Sequence, residues 1–140
     1  MMLKIARELI RIARLLLAFK PKGYGAWITD KGKPLYVSGP FGHIEIAAEK
    51  FFPDEDESSL DTDAAYEAAF ANGWIRVIFE RGAGKALDFE MTRDASRKAK
   101  EALEDLIFSG QFKMFIGDNY DTMKRIRTDD VEEALDYVKG

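Results

Sequence analysis

The sequence predicts an α+β fold: a mainly antiparallel sheet built from two hairpins plus one further strand, covered by helices and preceded by an amphipathic N-terminal helix. Three observations carry this. Apolar residues alternate with polar ones on both sides of Gly82-Ala83-Gly84, a second alternating pair flanks Asp30-Lys31-Gly32, and the intervening stretches carry apolar stripes at helical spacing. Period-two alternation marks half-buried strands and the i, i+3, i+4, i+7 pattern marks half-buried helices.

Taken in order, residues 2–19 (MLKIARELIRIARLLLAF) read as a helix. Lys4, Arg7, Arg11 and Arg14 fall within roughly 80° of arc, while Ile5, Leu9, Ile12 and Leu16 belong to a wide apolar face. Pro21 stops it. Residues 1–22 hold six basic residues and one acidic one; the whole 140-residue chain is at −4, so residues 23–140 must carry −9. A basic amphipathic segment on an acidic body suits a core or interface helix, a docking helix for a protein partner or a second copy, or a membrane-surface helix. Docking is the functional reading, with Lys4, Arg7, Arg11 and Arg14 as the partner-binding residues. The domain division that follows is 1–22 for the helix and 23–140 for a single α+β domain.

Tyr24–Val37 form the first hairpin, and Pro34 in its returning strand predicts a sheet edge. Gly39-Pro40-Phe41-Gly42 breaks the chain before the helix His43–Phe52, whose buried face is Ile44, Ala47, Ala48 and Phe51. An acidic stretch, Pro53–Asp63, follows, and then a helix with Asp61 or Thr62 as N-cap, stopped by Asn72-Gly73. In the second hairpin a three-residue loop sets Ile75 opposite Met91, Val77 opposite Phe89 and Phe79 opposite Leu87. Arg76 then faces Glu90 on the other surface. Thr92 or Asp94 starts a longer helix with the stripe Ala95, Ala99, Ala102, Leu103, Leu106, ending at Ser109-Gly110. Gln111–Ile116 is the further strand, with Phe112, Met114 and Ile116 on one face. Residues 117–121 read as a loop, 123–127 carry no clear pattern, and Asp129-x-x-Glu132 caps a last helix.

Composition excludes several classes of function. With 46% hydrophobic and 33% charged residues the chain is a folded globular protein, and the absence of cysteine excludes disulfides, thiolate metal sites and a cysteine nucleophile. No stretch is long and uncharged enough to span a membrane, and no secretory leader is legible, which makes the expected location cytoplasmic. An EF-hand loop starting at Asp54 needs Gly at its sixth place and Glu at its twelfth, where Ser59 and Ala65 stand. No metal centre is expected, and Asp54 and Asp56 are left as candidate ligands for a weakly held divalent ion. Gly82-Ala83-Gly84-Lys85 lacks the earlier glycine and the following Ser or Thr of a phosphate-binding loop. No nucleotide cofactor is expected. The acidic body disfavours direct nucleic-acid binding.

His43, the single histidine, is the candidate catalytic residue, with Glu45 or an acidic-loop carboxylate as its partner; the competing reading is a packing or capping histidine. Trp27 and Trp74 suit core packing or a shared exposed patch. The expected function is a non-enzymatic protein-interaction or assembly module working through the N-terminal helix. The alternatives are an enzyme using His43 and an acidic inhibitor that mimics DNA toward a host nucleic-acid-binding protein.

Ala26-Trp27-Ile28-x-x-x-Gly32, Asn72-Gly73-Trp74-Ile75-Arg76-Val77 and the intervening His43 resemble segments of small uncharacterised proteins encoded by bacteriophages and bacterial mobile elements. The similarity spans residues 24 to about 117. It implies an α+β protein with a virion-associated or host-directed role, and supplies no catalytic residues.

Overall fold

A computed structural model describes residues 24–56, 61–79, 86–107 and 112–126, together with Glu132 and Asp136. The N-terminal helix, the Gly82-Ala83-Gly84 loop and nearly all of the C-terminal helix expected from the sequence lie outside these residues.

Among the described residues the strands are β1 (Gly25–Ile28), β2 (Pro34–Val37), β3 (Ile75–Phe79), β4 (Ala86–Thr92), β5 (Lys113–Gly117) and β6 (Lys124–Ile126). They form one six-stranded sheet in the order β2-β1-β3-β4-β5-β6. All neighbours are antiparallel except β4 and β5, which run parallel. Three helices accompany it: α1 (Gly42–Phe51), α2 (Thr62–Ala71) and α3 (Arg97–Ile107).

The mixed α and β content and the mostly antiparallel sheet match the expectation, and Pro34 does lie on an edge strand. Two features differ. The sheet gains β6, because the short segment after Met123 pairs with β5. It also contains a parallel pair, because α3 carries the chain from the end of β4 back to the start of β5. A parallel connection needs such a crossover, and the helix supplies it.

The second hairpin keeps the expected Arg76–Glu90 and Val77–Phe89 pairs, but Phe79 pairs with Ala86 and not Leu87. The register shifts between Ile78 and Phe79. A bulge of this kind displaces one residue from the ladder and increases local twist. Leu87 is left 37% exposed as a result.

Local chemistry explains the element boundaries. Asp61 caps α2 by accepting from the Asp63 amide at 3.0 Å. At its other end Gly73, at φ +88°, lets the Trp74 amide reach Ala69 O and the Gly73 amide reach Phe70 O, both at 3.0 Å. This pair of bonds is a Schellman motif, and it needs a residue that accepts positive φ. The cap of α3 is Ser96, not Thr92 or Asp94: its Oγ accepts from the Ala99 amide at 3.0 Å. Thr92 Oγ1 instead accepts from the Asp94 amide in the turn before the helix.

Both faces of the sheet are covered, giving three layers. On one face, Ala26, Ile28, Val77, Phe89, Met91 and Met114 meet Ala99, Leu103, Leu106 and Ile107 of α3. On the other, Trp27, Val37 and Trp74 meet Ala47 of α1 and Ala65, Ala69 and Phe70 of α2. Both tryptophans are buried, with ring centroids 5.8 Å apart, so they pack in the core and form no exposed patch.

Candidate functional site

His43 sits at the start of α1, directly over β1 and β3, and is 3% exposed. Its Nε2 lies 3.1 Å from both Ala26 O and Val77 O. Two carbonyls can only accept, so Nε2 carries the ring's hydrogen and donates to them. The Trp27 indole N–H returns a bond to His43 O at 2.9 Å, and the two rings meet edge to face at 5.3 Å. Burial, reinforced by the nearby Arg76 cation, lowers the His43 pKa to about 4. The ring is therefore neutral at physiological pH. Gly25 makes room for it: a Cβ there would stand 2.1 Å from Val77 O and 3.0 Å from His43 Cε1. Glu45 is exposed and is not among the ring's hydrogen-bond partners. The arrangement binds α1 to two strands through one side chain.

Next to His43 the same face carries a polar cluster. Arg76 projects from β3 and pairs with Glu90 on β4 at 2.9 Å, with side-chain exposures of 19% and 18%. The guanidinium lies over the Tyr66 ring of α2 at 4.9 Å, a cation–π contact. Tyr120, in the single turn of 3-10 helix after β5, stacks on Tyr66 and Phe70 at 6.3 and 5.8 Å. Its hydroxyl donates to Asp63 at 3.3 Å. Burial raises both tyrosine pKa values; Asp63 adds to the rise at Tyr120, while Arg76 opposes it at Tyr66. Both phenols stay protonated and can act only as hydrogen-bond donors or weak acceptors near neutral pH. Arg76 Nε and Asp88 Oδ1 are buried without a hydrogen-bond partner among the described residues.

The sequence signalled one part of this cluster, the Arg76–Glu90 pair. Tyr66 and Tyr120 were not legible, because bringing the turn after β5 against α2 depends on the parallel β4–β5 pairing.

The other sequence candidates are scattered. Asp54 and Asp56 are exposed, and no group of three or more His, Asp or Glu placed to hold a metal occurs among the described residues. Lys4, Arg7, Arg11 and Arg14 fall outside them.

The exposed large hydrophobic residues share one end of the sheet. Tyr24, Phe41 and Leu87 are the exposed large hydrophobic residues among those described, at 53%, 65% and 37%. Tyr24 precedes β1, its amide donating to Val37 O and its carbonyl accepting from the Phe79 amide. Phe41 immediately precedes Gly42, which packs against Val37, and Leu87 follows Ala86, the partner of Phe79. All three therefore lie at the lower end of the sheet, where β1 starts and β3 ends. The described chain begins at this same end, with Tyr24.

Among the described residues no helix is long and apolar enough to cross a membrane. Compared with family models, with curated proteins and with solved structures, the chain matches none.

Proposed function

We propose that this protein is a non-enzymatic interaction module that self-associates through its N-terminal helix. The observation that carries the reading is that Tyr24, Phe41 and Leu87, the exposed large hydrophobic residues among those described, share the sheet end at which the described chain begins. Single exposed apolar residues need no explanation, but grouped ones mark interaction sites. The apolar stripe of residues 2–19 supplies a matching surface, and the +5 charge of residues 1–22 complements the −9 of residues 23–140. Lys4, Arg7, Arg11 and Arg14 steer and orient the helix on the acidic body of a second copy, while Leu9, Ile12 and Leu16 supply the buried area.

The test is the mass of the full chain by light scattering at several concentrations. A mass of at least twice 15.9 kDa is expected, falling to that of one chain when Leu9 and Leu16 are both replaced by Glu. A single-chain mass for both proteins at high concentration overturns the reading.

A further inference from the structure

At the opposite, upper end of the sheet a cleft of about 490 Å³ opens between the β1–β2 turn and the last turns of α1. Leu35 of β2, Ile46 of α1 and the buried Trp74 give it an apolar floor, and Lys31, Lys33 and Lys50 stand at its rim with Asp30 and Glu49. The frame is firmly built. Trp74 is held edge-on by Trp27 at 5.8 Å and by Phe51 at 5.0 Å. The turn is closed by Thr29 N–H to Lys33 O at 2.9 Å and Gly32 N–H to Thr29 O at 2.8 Å. Ser96 Oγ ties it to α3 by donating to Asp30 O at 2.6 Å.

None of the three lysines is ion-paired among the described residues. That is unexpected in residues 23–140, which carry −9 overall. Lys33 shares a strand face with Leu35, and Lys50 shares a helix face with Ile46, so the register that builds the apolar floor also sets two of the ammonium groups above it. We propose that this cleft binds a small amphipathic monoanion. Its apolar body lies on Leu35, Ile46 and Trp74, and its carboxylate, sulfonate or phosphodiester head meets the lysines. The volume suits a small molecule. Three lysines against two carboxylates leave a charge of +1 at the rim, which matches a single negative charge and disfavours a polyanion.

Octanoate and 1-anilinonaphthalene-8-sulfonate serve as probes, distinguishing an aliphatic carboxylate from an aromatic sulfonate, with octanol as the neutral control. Binding of either anion to the full-length protein is expected to change the Trp74 fluorescence and to shift the amide resonances of residues 29–35 and 46–50. The variant Lys31→Gln/Lys33→Gln/Lys50→Gln alters only exposed side chains, so its urea midpoint should be unchanged. Its affinity for the anionic probe should fall about tenfold, and wild-type affinity should fall with added salt. Equal binding of octanol and octanoate overturns the proposal. So does undiminished affinity in the triple variant, or resonance shifts confined to the lower end of the sheet.

Discussion

Beneath α3 the sheet presents Val77, Phe89, Met91 and Met114 to a helix stripe of Ala99, Leu103 and Leu106. Beneath α1 and α2 the same strands present Trp27, Arg76 and Glu90 to His43, Tyr66 and Phe70. The first contact is apolar throughout, and non-directional burial suffices to hold it. The second depends on geometry: an imidazole donating to two carbonyls, an indole donating to a third, a guanidinium on a phenol. Among the described residues it also leaves Arg76 Nε and Asp88 Oδ1 without a hydrogen-bond partner, each such group costing about 1–3 kcal/mol. The α1/α2 face has an apolar cluster of its own, with Trp27, Phe70 and Trp74, and its directional bonds additionally fix how its helices sit. Polar networks in a core are a recognised source of such uniqueness.

The largest separation between the two faces should come from truncation. Phe89 is fully buried and packs edge to face on Phe112 at 5.8 Å. Phe89→Ala should cost about 3–5 kcal/mol by chemical denaturation, with the slope of the transition unchanged. A loss below about 1 kcal/mol would mean that the α3 face is loosely packed and the contrast fails.

These two faces were unequally legible. Period-two alternation fixed Val77 opposite Phe89 and Arg76 opposite Glu90, since a slip of one residue would turn the apolar set outward. The spacing of Ala99, Leu103 and Leu106 likewise located the buried stripe of α3. Both signals are local in sequence. His43 was legible only as a choice between packing and catalysis. Its environment comes from backbone carbonyls at positions 26 and 77, which side-chain pattern does not report. The Phe79–Ala86 shift escaped for a related reason: a bulge is set by backbone twist. Tyr120 joined the cluster only through the parallel β4–β5 pairing, which a chain read as successive hairpins does not contain.

Acidification should weaken the α1/α2 face selectively. His43 has a folded pKa of about 4, below its unfolded value of 6.5. As pH falls through 6.5 the unfolded chain takes up the proton first, so stability is lost between pH 6.5 and 4 and is insensitive to this group above 6.5. From pH 7 to pH 5 the loss from His43 should be about 2 kcal/mol. As the single histidine, its Cε1 proton gives an unambiguous NMR titration. A midpoint near 6.5 in the folded protein would show that the ring is solvated, and the clip between α1 and the sheet would not exist.

A smaller effect should come from the Arg76–Glu90 pair, which is more buried than a surface bridge yet less than a core one. A double-mutant cycle with Arg76→Met and Glu90→Gln should return a coupling of about 1–2 kcal/mol, above the 0–1 kcal/mol usual at surfaces. The double variant should be more stable than the less stable of the two single variants, because removing one partner strands the other charge at low exposure. Strictly additive losses would mean that the two side chains act independently.

The mildest perturbation tests whether the cluster extends to the edge of the face. Tyr120→Phe keeps the ring that stacks on Tyr66 and Phe70 and removes only the hydroxyl bonded to Asp63 at 3.3 Å. That bond is long and its acceptor exposed, so the stability change should be within about 0.5 kcal/mol. Tyr120→Ala should cost about 2 kcal/mol more, since it uncovers the rings beneath. Equal losses for the two variants would place the energy in the hydroxyl, and the polar network, not the stacked rings, would then be what fixes the turn after β5 against α2.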